Sequence, residues 1–163
     1  MDNSNASRSV EISELDSSLR TRTTKRAPPP PKRRGPRFDL KGLRVLIVDD
    51  DMASAKLASI MLRTEGCDTR IVASAEEAFA ILPGFRPRLI VLDLVLPLMG
   101  GLLFAHTLKS EPATRDIAIV AVTSFTGDGA ARMAKDAGCF LFIQKPIDPL
   151  FFADVLIQAE DET

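Results

Sequence analysis

The chain has 163 residues, which is enough for one compact domain with a tail and too few for two well-developed domains. Apolar residues make up 45% and charged residues 26%, a globular balance. No apolar run approaches the roughly 18 to 20 residues that span a bilayer, so we do not expect this chain to be a membrane protein. The formal net charge of −1 by itself predicts no strong attraction to nucleic acid or anionic lipid.

That charge divides unevenly along the chain. Residues 1–42 carry ten Lys and Arg against five Asp and Glu, a net of +5, whereas residues 43–163 carry 11 against 17, a net of −6. The first part is poor in large apolar residues and holds four consecutive prolines at 28–31, so we expect a disordered, basic, proline-rich tail. Its basic cluster is either a solvated tail or an electrostatic tether to an acidic partner, a lipid or a nucleic acid. The N-terminus lacks an apolar signal region, which favours a cytoplasmic protein.

From Leu43 onward, short apolar runs alternate with amphipathic segments, as in a βα repeat that would extend to about residue 160, leaving 161–163 as the C-terminal end. The runs predict five strands, at 43–48, 69–72, 89–92, 117–122 and 140–143. Helical spacing predicts a first helix around Leu57, Ile60 and Met61, and a second one opened by a capping box of Ser74 and Glu77. Three more helices are expected at 102–109, 130–137 and 149–158, the last one entered through Asp148 and Pro149.

Strands that are buried on both faces and joined by single helices predict an α/β fold, an open doubly wound parallel sheet of five strands. In such a sheet ligands bind beyond the carboxyl ends of the strands, where the strand order reverses. The functional residues are therefore expected at the strand ends.

Those ends are polar. The first run is followed by Asp49 and Asp50, the third by Asp93, the fourth by Thr123 and the fifth by Lys145. Carboxylates gathered at one edge repel one another unless a cation lies among them, and oxygen ligands suit Mg²⁺. The next acidic residue, Asp51, is expected to cap the first helix instead.

A metal, a lysine and a hydroxyl around one further carboxylate are the groups that phosphoryl transfer requires, and an Asp carboxylate can itself attack phosphorus. The residues therefore predict a phosphoacceptor. In their order and spacing, the strings VLIVDD (45–50), DLVLPLMGG (93–101), VAVTSF (120–125) and IQKPI (143–147) resemble the receiver domain of two-component response regulators, over about 115 residues. This resemblance implies the CheY-like strand order 2-1-3-4-5.

The resemblance also implies a role for each residue of the site. Asp93 would be phosphorylated, while Asp49, Asp50, Asp93 and the main-chain carbonyl of Val95 would hold Mg²⁺, Asp50 directly and Asp49 through water. Lys145 would pair with Asp93 and then with its phosphoryl oxygens, and the Thr123 hydroxyl would move to hydrogen-bond them. Phe142 stands where the family places an aromatic switch, and the Lys145-Pro146 bond is expected to be cis.

By the same resemblance, the donor would be a histidine kinase or a histidine phosphotransfer protein. Output would occur by contact with a target protein through the fourth helix, fifth strand and fifth helix, since the chain leaves no room for a DNA-binding domain. Val95 and Phe125 lie two residues after Asp93 and Thr123 and would flank the path of a hydrolytic water. Because both are apolar, we expect slow loss of the phosphoryl group. The resemblance implies a phosphoacceptor that takes part in its own phosphorylation and slow autodephosphorylation, and not an enzyme.

The alternative functions are a phosphohydrolase, a pseudo-receiver and a scaffold. A phosphohydrolase of the haloacid dehalogenase type would need a second Asp as general acid where Val95 stands. A pseudo-receiver would bind partners without phosphorylation, although the acidic pair, Asp93, Thr123 and Lys145 are all present. A scaffold in which the basic tail dominates and phosphorylation is secondary stays open.

Overall fold

The computed structural model describes residues 39–149 and 152–159, so the predicted tail, apart from its last four residues, lies outside the described part of the chain. Strands and helices alternate strictly. They are β1 (Arg44–Val48), α1 (Met52–Thr64), β2 (Asp68–Val72), α2 (Ala75–Phe85), β3 (Leu89–Leu92), α3 (Gly101–Ser110), β4 (Ala118–Thr123), α4 (Ala130–Asp136), β5 (Leu141–Gln144) and α5 (Phe152–Ala159). None of the helices described is both long and apolar enough to cross a membrane.

The five strands form one parallel sheet in the order β2-β1-β3-β4-β5, which confirms the predicted fold. In register, Val45 pairs with Leu89 and Leu89 pairs with Ala118, so β3 lies between β1 and β4. The chain crosses from the β2 side of β1 to its β3 side, and the strand order therefore reverses between β1 and β3. This is the position at which a doubly wound sheet opens a crevice.

Successive strand residues point to opposite faces and so build two apolar cores. Leu46 and Val48 of β1 pack on the face covered by α2, α3 and α4, and Val45 and Ile47 pack on the face covered by α1 and α5. Burial on both faces explains why the central strands β1, β3 and β4 are continuous apolar runs, whereas the edge strands β2 and β5 are partly exposed. Each strand lies within one residue of its predicted bounds.

The buried face of α1 differs from the prediction. Leu57 is 45% and Ile60 64% exposed, whereas the residues that face the sheet are Ala55, Ala58, Ser59 and Leu62. Small residues allow the helix to approach the sheet closely, so Leu57 and Ile60 lie on the outer side, while the third predicted residue, Met61, is partly buried against the same core as Leu62. The spacing of large apolar residues indicated the helix correctly but not its buried face.

The predicted helix ends are largely present. The Asp51 side chain accepts the N–H of Ala53 at 3.1 Å, and Ser74 Oγ accepts the N–H of Glu77 at 3.2 Å. The Glu77 carboxylate bonds the N–H of Ala73, one residue before the cap. Gly138, with φ +89°, follows α4 in the left-handed conformation that ends a helix.

The predicted entry into α5 falls partly on residues 150 and 151, which lie outside the described part of the chain. From Phe152 the helix is described, and the Phe152 N–H donates to the Asp148 carbonyl at 3.0 Å, which agrees with an entry at Asp148. At the other end, Leu40 is buried in the core shared with α1 and α5, and the Gly42 N–H donates to the Gly66 carbonyl at 2.8 Å. Packing against the sheet therefore begins before Leu43.

Candidate functional site

The polar strand ends predicted from the sequence meet at one edge of the sheet. Asp49 follows β1 and Asp93 follows β3, and the Asp93 N–H continues the ladder by donating to the Val48 carbonyl at 2.9 Å. Thr123 ends β4, and the Lys145 N–H beyond β5 donates to the Thr123 carbonyl at 2.9 Å. The parallel register thus brings residues that are far apart in sequence to the crevice beside β1 and β3.

Three carboxylates are grouped in this crevice. Asp49 and Asp93 are buried, with 5% and 6% of their surfaces exposed, while Asp50 is exposed. One oxygen from each of the three carboxylates lies within 4.8 Å of the others. The predicted metal-binding carboxylates are therefore close enough to share one cation.

Lys145 reaches this group from the far side of β4. Its Nζ donates to Asp49 Oδ2 at 2.7 Å and to Asp93 Oδ2 at 2.9 Å. The lysine side chain is 14% exposed and the two carboxylates 7% each, so the ion pairs are largely shielded from water. The bond between Lys145 and Pro146 is cis, as expected from the resemblance.

Backbone N–H groups orient the same side chains. Asp49 Oδ1 accepts the N–H of Asp51 at 2.9 Å, and Asp93 Oδ1 accepts the N–H of Val95 at 2.9 Å. Each buried carboxylate is thus fixed by one main-chain donor and by Lys145. Because the two main-chain donors, Asp51 and Val95, belong to the loops that follow β1 and β3, the first turn beyond each strand sets where its carboxylate points.

Burial and charge act in opposite directions on these groups. Burial raises the pKa of the Asp49 carboxyl above its ordinary value, although the hydrogen bond from Lys145 and that from the Asp51 N–H pull it down. Burial alone would lower the pKa of Lys145, but the hydrogen bonds and charges of Asp49 and Asp93 together outweigh it and raise that pKa. The ammonium group is therefore retained at neutral pH.

The charges present fit a divalent cation. Three carboxylates against one ammonium leave two negative charges within a few ångströms. Hard oxygen donors are the ligands of Mg²⁺, which accepts one or two carboxylates together with waters and phosphate oxygens. Asp49 and Asp93 each already accept a hydrogen bond from Lys145 on one oxygen, whereas Asp50 is exposed to solvent and is accessible to a metal.

Thr123 and Phe142 lie on one face of the sheet. The register pairs Ala121 with Phe142, and Thr123 is two residues beyond Ala121, so the hydroxyl and the ring are on the side covered by α4. Thr123 is fully buried and its Oγ1 accepts the N–H of Phe125 at 3.2 Å. Phe142 is half-buried against the core.

Two exposed apolar residues lie in the loops that follow Asp93 and Thr123. Val95 is 55% and Phe125 38% exposed, at the positions predicted from the sequence. Val95 therefore presents a hydrocarbon surface where a hydrolase of the alternative class would need a carboxylic acid.

Two further residues of the site were not identified from the sequence. Glu76, in the first turn of α2, accepts the N–H of Met99 at 3.3 Å and so contacts the loop beyond Asp93. Gly101 lies against the Asp93 backbone so closely that a Cβ would be 2.4 Å from the Asp93 carbonyl oxygen. The glycine was part of the recognised string, but nothing in the string indicates what it touches, and no local signal marks Glu76.

Comparison with protein families and curated proteins gives a consistent result. Residues 45–156 match the model of the response regulator receiver domain. The DNA-binding response regulator MtrA of Mycobacterium tuberculosis is 33% identical over 112 residues, covering 69% of this chain and 48% of that protein. The response regulator PleD of Caulobacter vibrioides is 33% identical over 113 residues, covering 69% of this chain and 25% of PleD. The chain thus spans about half or less of the length of these curated relatives.

Solved structures share the fold. A CheY-like receiver domain protein from Methanospirillum hungatei superposes with a TM-score of 0.68 at 26% identity, over 75% of this chain and 96% of that one. The chemotaxis response regulator CheY4 of Vibrio cholerae superposes with a TM-score of 0.68 at 24% identity, over 73% of this chain and 99% of that one. Because the family model covers more than two thirds of its residues, this chain belongs to the response regulator receiver family.

Proposed function

We propose that the domain accepts a phosphoryl group on Asp93 from the phosphohistidine of a histidine kinase or a histidine phosphotransfer protein. The observation that carries the proposal is the Asp93 carboxylate itself, buried beside two other carboxylates and held by Lys145 at the edge of the sheet. Membership in a phosphorelay family supports the same reaction.

The transfer balances without a proton from the acceptor. A carboxylate oxygen of Asp93 supplies the electron pair of the new P–O bond, and the P–N bond to the donor imidazole breaks with its electron pair left on nitrogen. Lys145 is placed to offset charge on the incoming oxygens, since its Nζ lies 2.9 Å from Asp93 Oδ2.

Mg²⁺ is the proposed cofactor, held by Asp49, Asp50, Asp93 and the main-chain carbonyl of Val95. When bound, it supplies positive charge to neutralise the phosphoryl oxygens. Asp50 is proposed as a direct ligand because it is exposed, and Asp49 as a ligand through water, as the resemblance to the receiver family implies.

Phosphorylation adds charge and strong acceptors at this edge, and Thr123 and Phe142 are proposed to respond. The Thr123 hydroxyl would turn to the phosphoryl group, and the Phe142 ring would occupy the space that the hydroxyl leaves. Phe142 lies on the edge strand β5, with α4 on its own side of the sheet and α5 on the other. The change is therefore proposed to reach the surface of α4, β5 and α5, where a target protein would bind. A ligand shifts such an equilibrium only by its differential affinity, so phosphate and target must favour the same state.

Intact-mass measurement tests the proposal. The chain is incubated with phosphoramidate, a small donor with a P–N bond, in the presence of Mg²⁺. We expect one added phosphoryl group on the wild type and on Asp128→Asn, which removes an exposed carboxylate from the β4–α4 loop, and none on Asp93→Asn. An unmodified wild-type protein would overturn the proposal.

A scaffold role for the basic tail is the second candidate, favoured by the net charge of +5 in residues 1–42. In that case the tail would bind the partner, and phosphorylation would only modulate that binding. Partner capture by the full chain is compared with capture by a chain that lacks residues 1–38, which keeps the buried Leu40. Loss of partners on deletion, with no effect of Asp93→Asn, would favour the scaffold.

A further inference from the structure

The first residue of α3, Gly101, lies unusually close to the backbone of the acceptor aspartate. A Cβ at this position would be 2.4 Å from the Asp93 carbonyl oxygen and 2.6 Å from Leu94 Cα, compared with 3.4–4 Å for ordinary contact. The Gly101 N–H also donates to the Leu94 carbonyl at 3.1 Å. The φ of Gly101 is not positive, so glycine is needed here for space and not for its conformational freedom.

The backbone that Gly101 touches sets the direction of the acceptor carboxylate. Asp93 Oδ1 accepts the Val95 N–H and Oδ2 accepts Lys145 Nζ, both at 2.9 Å. Widening a 2.4 Å contact to 3.4 Å requires a displacement of about 1 Å, and N–H···O bonds weaken beyond about 3.2 Å. A side chain at position 101 therefore displaces either α3 or the Asp93 backbone, and a displaced Asp93 backbone moves both contacts of the carboxylate.

The loop between Asp93 and α3 is fixed at a second point. Glu76 Oε1 accepts the Met99 N–H at 3.3 Å, which ties the loop to the first turn of α2. Between the two attachments, Leu98 adopts a left-handed φ of +58° and is 89% exposed. A leucine in this conformation is strained and persists only where its surroundings hold the chain.

We propose that Gly101 is a positioning residue for phosphoryl transfer: by having no side chain, it lets α3 close on the Asp93 backbone and fixes the acceptor carboxylate, with Glu76 fixing the far end of the same loop. The inference rests on the proposed phosphorylation of Asp93. A misplacement of about 1 Å can reduce a rate by roughly 100-fold.

Three alanine variants separate positioning from general destabilisation. Gly101→Ala introduces the contact with Asp93. Gly100→Ala, one residue earlier, meets nothing within 4 Å. Gly138→Ala is strained by a φ of +89° and by a contact of its Cβ with Lys109 Cγ at 2.6 Å. Lys109 lies eight residues after Gly101 in α3, about 12 Å along the helix, so this strain is remote from Asp93.

Three quantities are measured for each variant and for the wild type. They are the rate of phosphorylation by phosphoramidate, the affinity for Mg²⁺ by titration calorimetry, and the free energy of unfolding in urea by circular dichroism. Circular dichroism is chosen because the chain has no Trp or Tyr. We expect Gly101→Ala to react about 100-fold more slowly than Gly100→Ala and to bind Mg²⁺ more weakly, since Asp93 is a proposed ligand. Gly138→Ala should lose stability while keeping both the rate and the affinity.

The inference is overturned if folded Gly101→Ala matches Gly100→Ala in rate and affinity, or if it loses no more than an equally destabilised Gly138→Ala. If Gly101→Ala does not fold, two variants of Glu76 test the inference instead. Glu76→Ala should slow phosphorylation and Glu76→Gln, which keeps an acceptor, should restore it; a wild-type rate for Glu76→Ala overturns the inference. If the wild type itself takes no phosphoryl group, the proposed function fails, and the Mg²⁺ affinities still test the positioning.

Discussion

Replacing Lys145 with methionine tests the electrostatic description of the site. Lys145→Met keeps most of the apolar stem but removes the ammonium group that bridges Asp49 and Asp93. Two unit charges 4.8 Å apart, the limit of separation of these carboxylate oxygens, repel by about 3.5 kcal/mol at an effective dielectric constant near 20. Removing one partner of a buried ion pair costs about 3 to 5 kcal/mol, and the slight exposure of these groups favours the lower value.

We therefore expect Lys145→Met to lower the free energy of unfolding by about 3 kcal/mol when divalent cations are chelated. Saturating Mg²⁺ should recover much of that loss, because the cation replaces the missing positive charge among three carboxylates. The variant should also bind Mg²⁺ more tightly than the wild type while accepting a phosphoryl group more slowly, since the charge beside Asp93 Oδ2 is gone.

The assays are urea unfolding followed by circular dichroism, with and without Mg²⁺, and titration calorimetry. Lys135→Met is the matched control, because Lys135 is an exposed lysine in the last turn of α4. The reasoning is refuted if Lys145→Met is no less stable than Lys135→Met, or if Mg²⁺ stabilises both variants equally.

Three further predictions concern hydrolysis of the aspartyl phosphate and the Cys139 thiol. With an apolar rim of Val95 and Phe125, the aspartyl phosphate should outlast seconds in Mg²⁺ buffer, and Val95→Asn combined with Phe125→Ser should shorten its half-life; a wild-type half-life of seconds would contradict this. Burial raises the pKa of Cys139 from 9.0 to about 11, so at pH 8 about 0.1% is thiolate instead of about 10%, and alkylation followed by mass spectrometry should be roughly 100-fold slower in the native than in the unfolded chain. A folded-state pKa above the unfolded one means that the neutral thiol contributes stability below pH 9 that is lost as the pH rises through 11, so Cys139→Ala should flatten the pH dependence of unfolding in that window.

The fold was predictable because the three central strands, β1, β3 and β4, are buried on both faces. A continuous apolar run such as Leu89–Leu92 can be recognised as a strand from its own residues, without knowledge of the neighbouring strands. The single helical segments between the runs then leave only parallel pairing. The buried face of α1 was not predictable in the same way. Ala55, Ala58 and Ser59 carry little hydrophobic signal, and their burial results from close packing on the sheet, which local spacing does not encode.

The sequence by itself determined the chemistry of the site, since polar residues that follow apolar strands must gather at one edge of a parallel sheet. The sequence predicts that Asp49, Asp93 and Lys145 lie close together, but it gives no distance between their atoms. Only the tertiary structure decided that one ammonium group bridges both buried carboxylates, and that Gly101 touches the Asp93 backbone. The reason is that strand order fixes which residues meet, whereas loop conformation and helix packing fix how closely they approach.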